Sequence, residues 1–276
     1  MFDRKIAIIG CGAIGSILAK SIDQGRAGNT ELRVLFDLQR ERAEELADEL
    51  STTPVVADEI KDVLDDEEVD LVVEAASQGA VSEYSVDALK SGKDLIILSI
   101  GAFSDEKLLR QVRDAAESSG HYIYLPSGAI LGVDGIQAAE IAGFEEAVLT
   151  TRKPPETLSK TKFVQENDID LSGLTEPRAV FEGPASEAVE AFPESVNVAA
   201  TLSLAGAGFQ DTHVRIVADP SLNQNVHEIK VKGEAGEFTT RARNFPSPEN
   251  PKTSYIAALS AMRTLRNLTE PIWIGA

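Results

Sequence analysis

One cysteine, three histidines, two methionines and one tryptophan in 276 residues leave little room for several kinds of chemistry. The single thiol, Cys11, excludes an intrachain disulfide and a cysteine-based metal centre, so a reducing, cytoplasmic setting is expected and no metal. Basic residues are also scarce: 26 Lys and Arg against 45 Asp and Glu give a formal charge of −19. That balance argues against nucleic acid or an anionic membrane surface as partner, since both require basic patches. No apolar run approaches the roughly 20 residues of a membrane-spanning helix. The N-terminal stretch lacks the basic region and long apolar core of a signal peptide. Neither an internal repeat nor a low-complexity segment is found. The acids are spread along residues 41–49, 58–68 and 105–117, as on solvated helix faces rather than in a tail. Plain solubility and adaptation to a salt-rich cytoplasm both account for the surplus, and the second is slightly favoured.

What the chain does have is concentrated at its start. Residues 5–9 are a short run of β-formers that ends in Gly10, Gly12 and Gly15, spaced G-x-G-x-x-G, and opens into a helical pattern. In that setting the first glycine makes the tight turn and the second lets the backbone approach a pyrophosphate. The third lets helix and strand pack closely, with the phosphates on free N–H groups at the helix N-terminus. The loop residues Gly10, Gly12, Ala13, Ile14 and Gly15 are therefore candidate cofactor contacts. A second strand, residues 31–37, ends in Asp37, which stands 22 positions beyond Gly15, close to the roughly 20 expected for a ribose-binding carboxylate.

Strand-like apolar runs at 55–57, 69–76, 94–99 and 122–125 alternate with helical patterns at 39–50, 59–64, 80–90 and 105–118, the last with Ser104 as its expected N-cap. Such alternation predicts a doubly wound parallel sheet, and residues 1–125 are read as a complete dinucleotide-binding Rossmann domain. Beyond a small-residue loop at 126–132 and a helix near 134–141 the pattern changes. Strands are expected at 146–152, 179–182, 212–218, 226–232 and 238–242, with a hairpin turn at 233–236 and a buried helix over 195–207. Residues 126–250 thus read as a smaller α+β domain with a mostly antiparallel sheet. Residues 154–175, with two prolines and many polar residues, are expected as its mobile loop. A capped helix from Pro251 to about Leu268, within the segment 251–276, is expected to pack back on the first domain.

A nicotinamide enzyme must bind a substrate and manage a proton. His121 precedes a strand in a structural context, and His213 lies in an alternating strand that would face solvent. His227 follows the amide-rich Asn223, Gln224 and Asn225 and enters a strand, which suits a substrate pocket. Histidine is also the side chain that exchanges protons near neutral pH. The 126–132 loop lies at a strand C-terminus, where open α/β sheets bind ligands. It serves equally well as a domain linker. Asn197 is a lone amide in an apolar helix; buried there, it would hold either a backbone group or a ligand carboxamide. Candidate cations for substrate carboxylates are Arg152, Lys153, Arg241 and Arg243.

Taken with the motifs Ala76-Ser-Gln-Gly-Ala80, Leu125-Pro-Ser-Gly-Ala-Ile130, Thr151-Arg-Lys-Pro154, Phe192-Pro-Glu-Ser-Val-Asn-Val-Ala199, Asn225-Val-His-Glu228 and Asn250-Pro-Lys-Thr-Ser254, the chain resembles the L-aspartate dehydrogenase family over its full length. The resemblance implies NAD- or NADP-dependent oxidative deamination of L-aspartate to iminoaspartate. That product either feeds NAD biosynthesis or hydrolyses to oxaloacetate and ammonia. Carried over by motif, the family's active-site histidine falls on His227, and its cofactor-contacting Ala and Asn fall on Ala129 and Asn197. Arg152, Lys153 and Asn225 are the candidate substrate residues, and the resemblance implies a homodimer through the second domain.

Asp37 would repel a 2′-phosphate, whereas an arginine such as Arg40 would accommodate one. NAD is therefore expected as the preferred cofactor, with NADP accepted. Two alternatives share the same first domain: another small-substrate dehydrogenase or reductase, of homoserine dehydrogenase or dihydrodipicolinate reductase type, and a non-catalytic NAD(P) redox sensor.

Overall fold

The computed structural model describes residues 4–193, 196–247 and 254–275. Its contacts divide the chain into two compact units, one running to Pro126 and resuming at Ala257, the other Ser127–Ile256.

In the first unit, six strands form one sheet: β1 (Arg4–Ile9), β2 (Thr30–Phe36), β3 (Val55–Val56), β4 (Leu71–Glu74), β5 (Asp94–Ile97) and β6 (Ile123–Tyr124). Their order is β3-β2-β1-β4-β5-β6 and every pairing is parallel. The central strands are buried on both faces, as continuous apolar runs require: Ile6, Ile8, Leu71, Val73 and Ile96 are inaccessible to solvent. Helices α1 (Ala13–Asp23), α2 (Arg40–Asp48), α3 (Ile60–Leu64), α4 (Gln78–Lys90) and α5 (Glu106–Ser119) connect them. The chain order reverses between β1 and β4, the switch point where such sheets bind ligands beyond their strand C-termini.

The N-cap of α5 is Asp105, not Ser104. The Asp105 carboxylate accepts from the backbone N–H groups of Lys107 and Leu108 at 2.8 and 3.2 Å. Ser104 sits in a preceding 3₁₀ turn and its hydroxyl donates to the Gly101 carbonyl. Both residues are good caps, and the extra turn decides between them by moving the helix start one position.

The second unit begins with α6 (Val133–Glu140) and carries β7 (Phe144–Lys153), β8 (Arg178–Pro184), β9 (Thr212–Ala218), β10 (Asn225–Gly233) and β11 (Gly236–Asn244). The sheet order is β11-β10-β7-β9-β8; β7 and β9 run parallel and the other three pairings are antiparallel. Between β7 and β8 lie α7 (Pro155–Leu158) and α8 (Lys162–Glu166), and between β8 and β9 lie α9 (Ala185–Ala191), α10 (Val196–Leu202), a π turn at 203–207 and α11 (Gly208–Asp211). One sheet face packs Leu149, Val214, Ile216, Ile229 and Val231 against residues of these helices, among them Ala188, Ala199 and Leu202.

Residues 154–175, expected as the mobile loop, are folded onto this core. Leu158, Val164 and Leu171 are buried, and the Phe163 ring meets those of Phe181 and Phe192 at centroid distances of 5.9 and 4.9 Å. Apolar residues widely spaced among prolines and polar residues fill separate gaps here, so they leave no periodic trace in the sequence.

The last helix, α12 (Tyr255–Thr269), buries Ala261 and Leu265 in the core of the first unit beside Leu18 and Ile22 of α1. The expected start of this helix at Pro251 lies outside the described residues, as does Ser195 of the expected 195–207 helix.

Candidate functional site

In the first unit the glycine loop has the geometry its spacing predicts. Gly10 adopts φ +96°, and a Cβ there would come within 2.8 Å of the backbone at Ala75 and Ala76. A Cβ on Gly15 would sit 1.9 Å from the Gly10 carbonyl oxygen. Gly12, at the N-terminus of α1, has no heavy atom within 4 Å of its would-be Cβ and faces open space. Ala13 and Ile14 form the half-buried first turn of α1.

The Asp37 carboxylate accepts from the Cys11 N–H at 2.8 Å and from the Gln39 N–H at 2.9 Å, so the acid ending β2 also clasps the glycine loop. Cys11 itself is buried, and burial followed by the nearby Asp37 charge pushes its thiol up to about 12. A cleft of about 360 Å³ runs along this edge, with Gly10, Gly12, Asp37, Arg42, Ala76 and Ser77 in its walls. An exposed glycine, helix N–H groups beside it and a carboxylate at the end of β2 fit the pyrophosphate and ribose of a dinucleotide.

The sequence did not single out Arg42, which lines this cleft, or Glu74, which holds the Ala76 and Ser77 N–H groups of its wall. Arg40 pairs with Glu44 at 2.8 Å and with Asp58, and it is Arg42, two positions on, that lines the cleft. Glu74, at the end of β4, is 3% exposed. Its carboxylate accepts from the Ala76, Ser77 and Ser99 N–H groups and the Ser99 hydroxyl at 2.8–3.0 Å. Burial pushes this carboxyl up while those four bonds pull it down. A lone acid ending an apolar strand was the visible signal.

In the second unit, strand register decides which candidates meet. His227 on β10 stands opposite Thr151 on β7 and Ala242 on β11, while Asn225 stands opposite Asn244. Because side chains alternate, Thr151, Lys153, Asn225, His227 and Asn244 share one sheet face. The His227 ring is 5% exposed, and its Nδ1 lies 2.9 Å from the Thr151 hydroxyl. Burial first, then the charge of Lys153, pull its pKa down to about 4, so the imidazole is neutral near pH 7. Lys153 is itself 7% exposed.

Arg152, by the same alternation, belongs to the opposite face, where it approaches Asp219 at 3.9 Å. Arg241 and Arg243 pair with Glu228 and Val226 and also lie away from His227. The structure therefore brings Lys153 to the histidine and leaves the three arginines aside.

Ala129 is buried, and its carbonyl accepts from the Asn244 side-chain N–H at 3.0 Å. The Thr240 hydroxyl donates to the Leu131 carbonyl at 3.1 Å, so β11 tethers the 127–132 loop at two points. Asn197 is exposed on α10 rather than buried, because the helix turns its apolar residues Val196, Ala199 and Ala200 to the core. Of the remaining histidines, His121 lies 3.0 Å from Asp94 and His213 lies 3.2 Å from Glu182. Among the described residues no His, Cys, Asp and Glu cluster could hold a metal ion, and no helix is long and apolar enough to cross a membrane.

The 3-2-1-4-5-6 parallel sheet, its glycine loop and the acid ending β2 define a dehydrogenase-class protein with a Rossmann domain for a pyridine nucleotide. Residues 10–126 match the family model for the homoserine dehydrogenase NAD-binding domain, and residues 134–268 that for the aspartate dehydrogenase C-terminal domain. The chain is 49% identical to the L-aspartate dehydrogenase of Methanosarcina acetivorans, covering 98% of this chain and 99% of that one. It is 39% identical to that of Nitrosopumilus maritimus, covering 99% of each. The crystal structure of aspartate dehydrogenase from Thermotoga maritima superposes with a TM-score of 0.79 at 31% identity, covering 99% of both chains. The chain belongs to the L-aspartate dehydrogenase family. A myo-inositol dehydrogenase from Lactobacillus casei, solved with NAD(H) and myo-inositol, shares the fold at 14% identity and a TM-score of 0.58.

Proposed function

We propose that this protein oxidatively deaminates L-aspartate to iminoaspartate, with NAD as the preferred acceptor and NADP accepted. Iminoaspartate then hydrolyses to oxaloacetate and ammonia or is drawn off toward NAD biosynthesis. The observation that carries the reading is the buried face on which a neutral His227 lies beside the Lys153 cation.

A bound nicotinamide ring supplies the acceptor for the hydride leaving C2 of aspartate. In this reading Gly10, Gly12, Ala13, Ile14 and Gly15 hold the pyrophosphate at the start of α1, and Asp37 takes the ribose hydroxyls. Ala129 and Asn197 are assigned to the cofactor as well. His227 accepts a proton at Nε2 from the substrate ammonium, gives it up to solvent, and can then accept one from the water that attacks the imine. A neutral imidazole is needed for this, because an imidazolium has no lone pair to offer. Lys153 holds a substrate carboxylate and Asn225 offers an amide beside it. Arg152, on the opposite face, is given no part. The active form is a cytoplasmic homodimer associating through the second domain.

NAD preference rests on Asp37, whose charge disfavours a 2′-phosphate; Arg42, in the wall of the same cleft, accounts for tolerance of NADP. The test is an assay of purified protein with L-aspartate and, separately, L-homoserine, each with NAD and NADP. Aspartate-dependent NADH formation is expected, and its absence overturns the substrate assignment. A preference for NADP of about tenfold or more, some 1.4 kcal/mol, overturns the cofactor assignment. His227→Ala is expected to retain NADH binding and to lose turnover by about 10²–10⁴, the usual contribution of a general acid–base group.

A further inference from the structure

The Thr151 hydroxyl and His227 Nδ1 lie 2.9 Å apart although 76 residues separate them in the chain. The contact comes from the β7–β10 ladder, in which the two residues are direct register partners on a shared face. Thr151 is 1% exposed and His227 5%, so neither group exchanges this partner for bulk water. A neutral imidazole carries one N–H, and whatever meets one nitrogen determines the state of the other. Lys153, two residues along β7 on the same face, is a cation that disfavours a second proton on the ring.

From this geometry we infer that Thr151 is a positioning residue: its hydroxyl oxygen accepts a hydrogen bond from His227 Nδ1–H and so keeps the lone pair on Nε2. The inference rests on the proposed acid–base role of His227 and names what makes that role possible. With the proton held on Nδ1, Nε2 can accept from the substrate ammonium or the attacking water. With the proton on Nε2, the ring could only donate there. Threonine suits the position because its β-branch limits χ1 in a strand and holds the oxygen in place.

The tautomer is read directly by ¹⁵N-histidine NMR on the full chain, with His121→Gln and His213→Gln used to assign the resonances. The wild type and Thr151→Ser are expected to carry the proton on Nδ1, and Thr151→Val to move it to Nε2. In steady-state kinetics Thr151→Val is expected to lower kcat by at least about tenfold, a fraction of what a general base contributes. KM for L-aspartate and Kd for NADH should stay within about twofold, and Thr151→Ser should restore kcat to within about threefold. A proton on Nε2 in the wild type overturns the inference. So does a Thr151→Val enzyme with undiminished kcat, or a Thr151→Ser enzyme as slow as the valine variant. If the tautomer moves as expected while the wild type oxidises no aspartate, the proposed substrate falls and the positioning role stands.

Discussion

His227 shows how burial couples the charge of one ring to stability. Its pKa in the folded chain is about 4, against 6.5 for an unhindered imidazole, so the folded state binds fewer protons than the unfolded chain between those values. Stability from this group is therefore complete above pH 6.5 and is lost as the pH falls toward 4. The effect is on the order of 2–3 kcal/mol at pH 4.5. Urea unfolding of the wild type and His227→Gln at pH 7 and pH 4.5 checks it. The wild type should lose more stability by roughly that amount, and equal losses would show that the ring is not held neutral. The sequence marked His227 by its amide-rich approach, yet nothing local to it announced Thr151 or Lys153 as its neighbours. That information lies in the register of two strands far apart in the chain.

At the level of elements, the glycine loop places a crowded glycine and an open one within six residues. Gly15→Ala would drive a methyl to 1.9 Å from the Gly10 carbonyl, so α1 would have to move off β1. Gly12→Ala meets nothing within 4 Å, and its backbone at φ −74°, ψ −164° is open to any residue. Gly15→Ala should therefore lower Tm by several degrees, a 1 kcal/mol loss in a domain of this size being worth about 2–4 °C. Gly12→Ala should leave Tm within about 1 °C and weaken NADH binding by about tenfold or more, because the methyl fills the space a pyrophosphate would enter. Thermal melts with fluorescence titration of NADH separate the two. A Gly12→Ala protein that binds NADH normally would move the phosphate site away from this loop. Most elements were legible because strands and helices have their own periods. The shift of the α5 cap from Ser104 to Asp105 and the helices within 154–175 were not. A 3₁₀ turn, and apolar residues filling separate gaps, carry no period to read.

For the molecule as a whole, a charge of −19 sets the long-range field that an acidic substrate and an anionic cofactor must cross. Salt screens that field over about 10 Å at 0.1 M but weakens a buried contact such as one to Lys153 far less. KM for L-aspartate is therefore expected to fall as ionic strength rises from about 0.01 to 0.15 M. Steady-state kinetics across a salt series measures this. A KM that climbs over the same range would show that local positive charge, not the overall field, governs substrate approach.

The sequence by itself determined the two architectures, the glycine loop and the acid at Asp37, since each is written in neighbouring residues with a fixed period or spacing. It also singled out His227. Only the tertiary structure decided which cations share the face of that histidine, keeping Lys153 and setting Arg152 aside. It alone paired Thr151 with the imidazole, turned Asn197 outward and placed Arg42 rather than Arg40 at the cleft. The reason is physical: a strand's side chains alternate faces, so one step of register reassigns every partner, and register is fixed by contacts between distant parts of the chain.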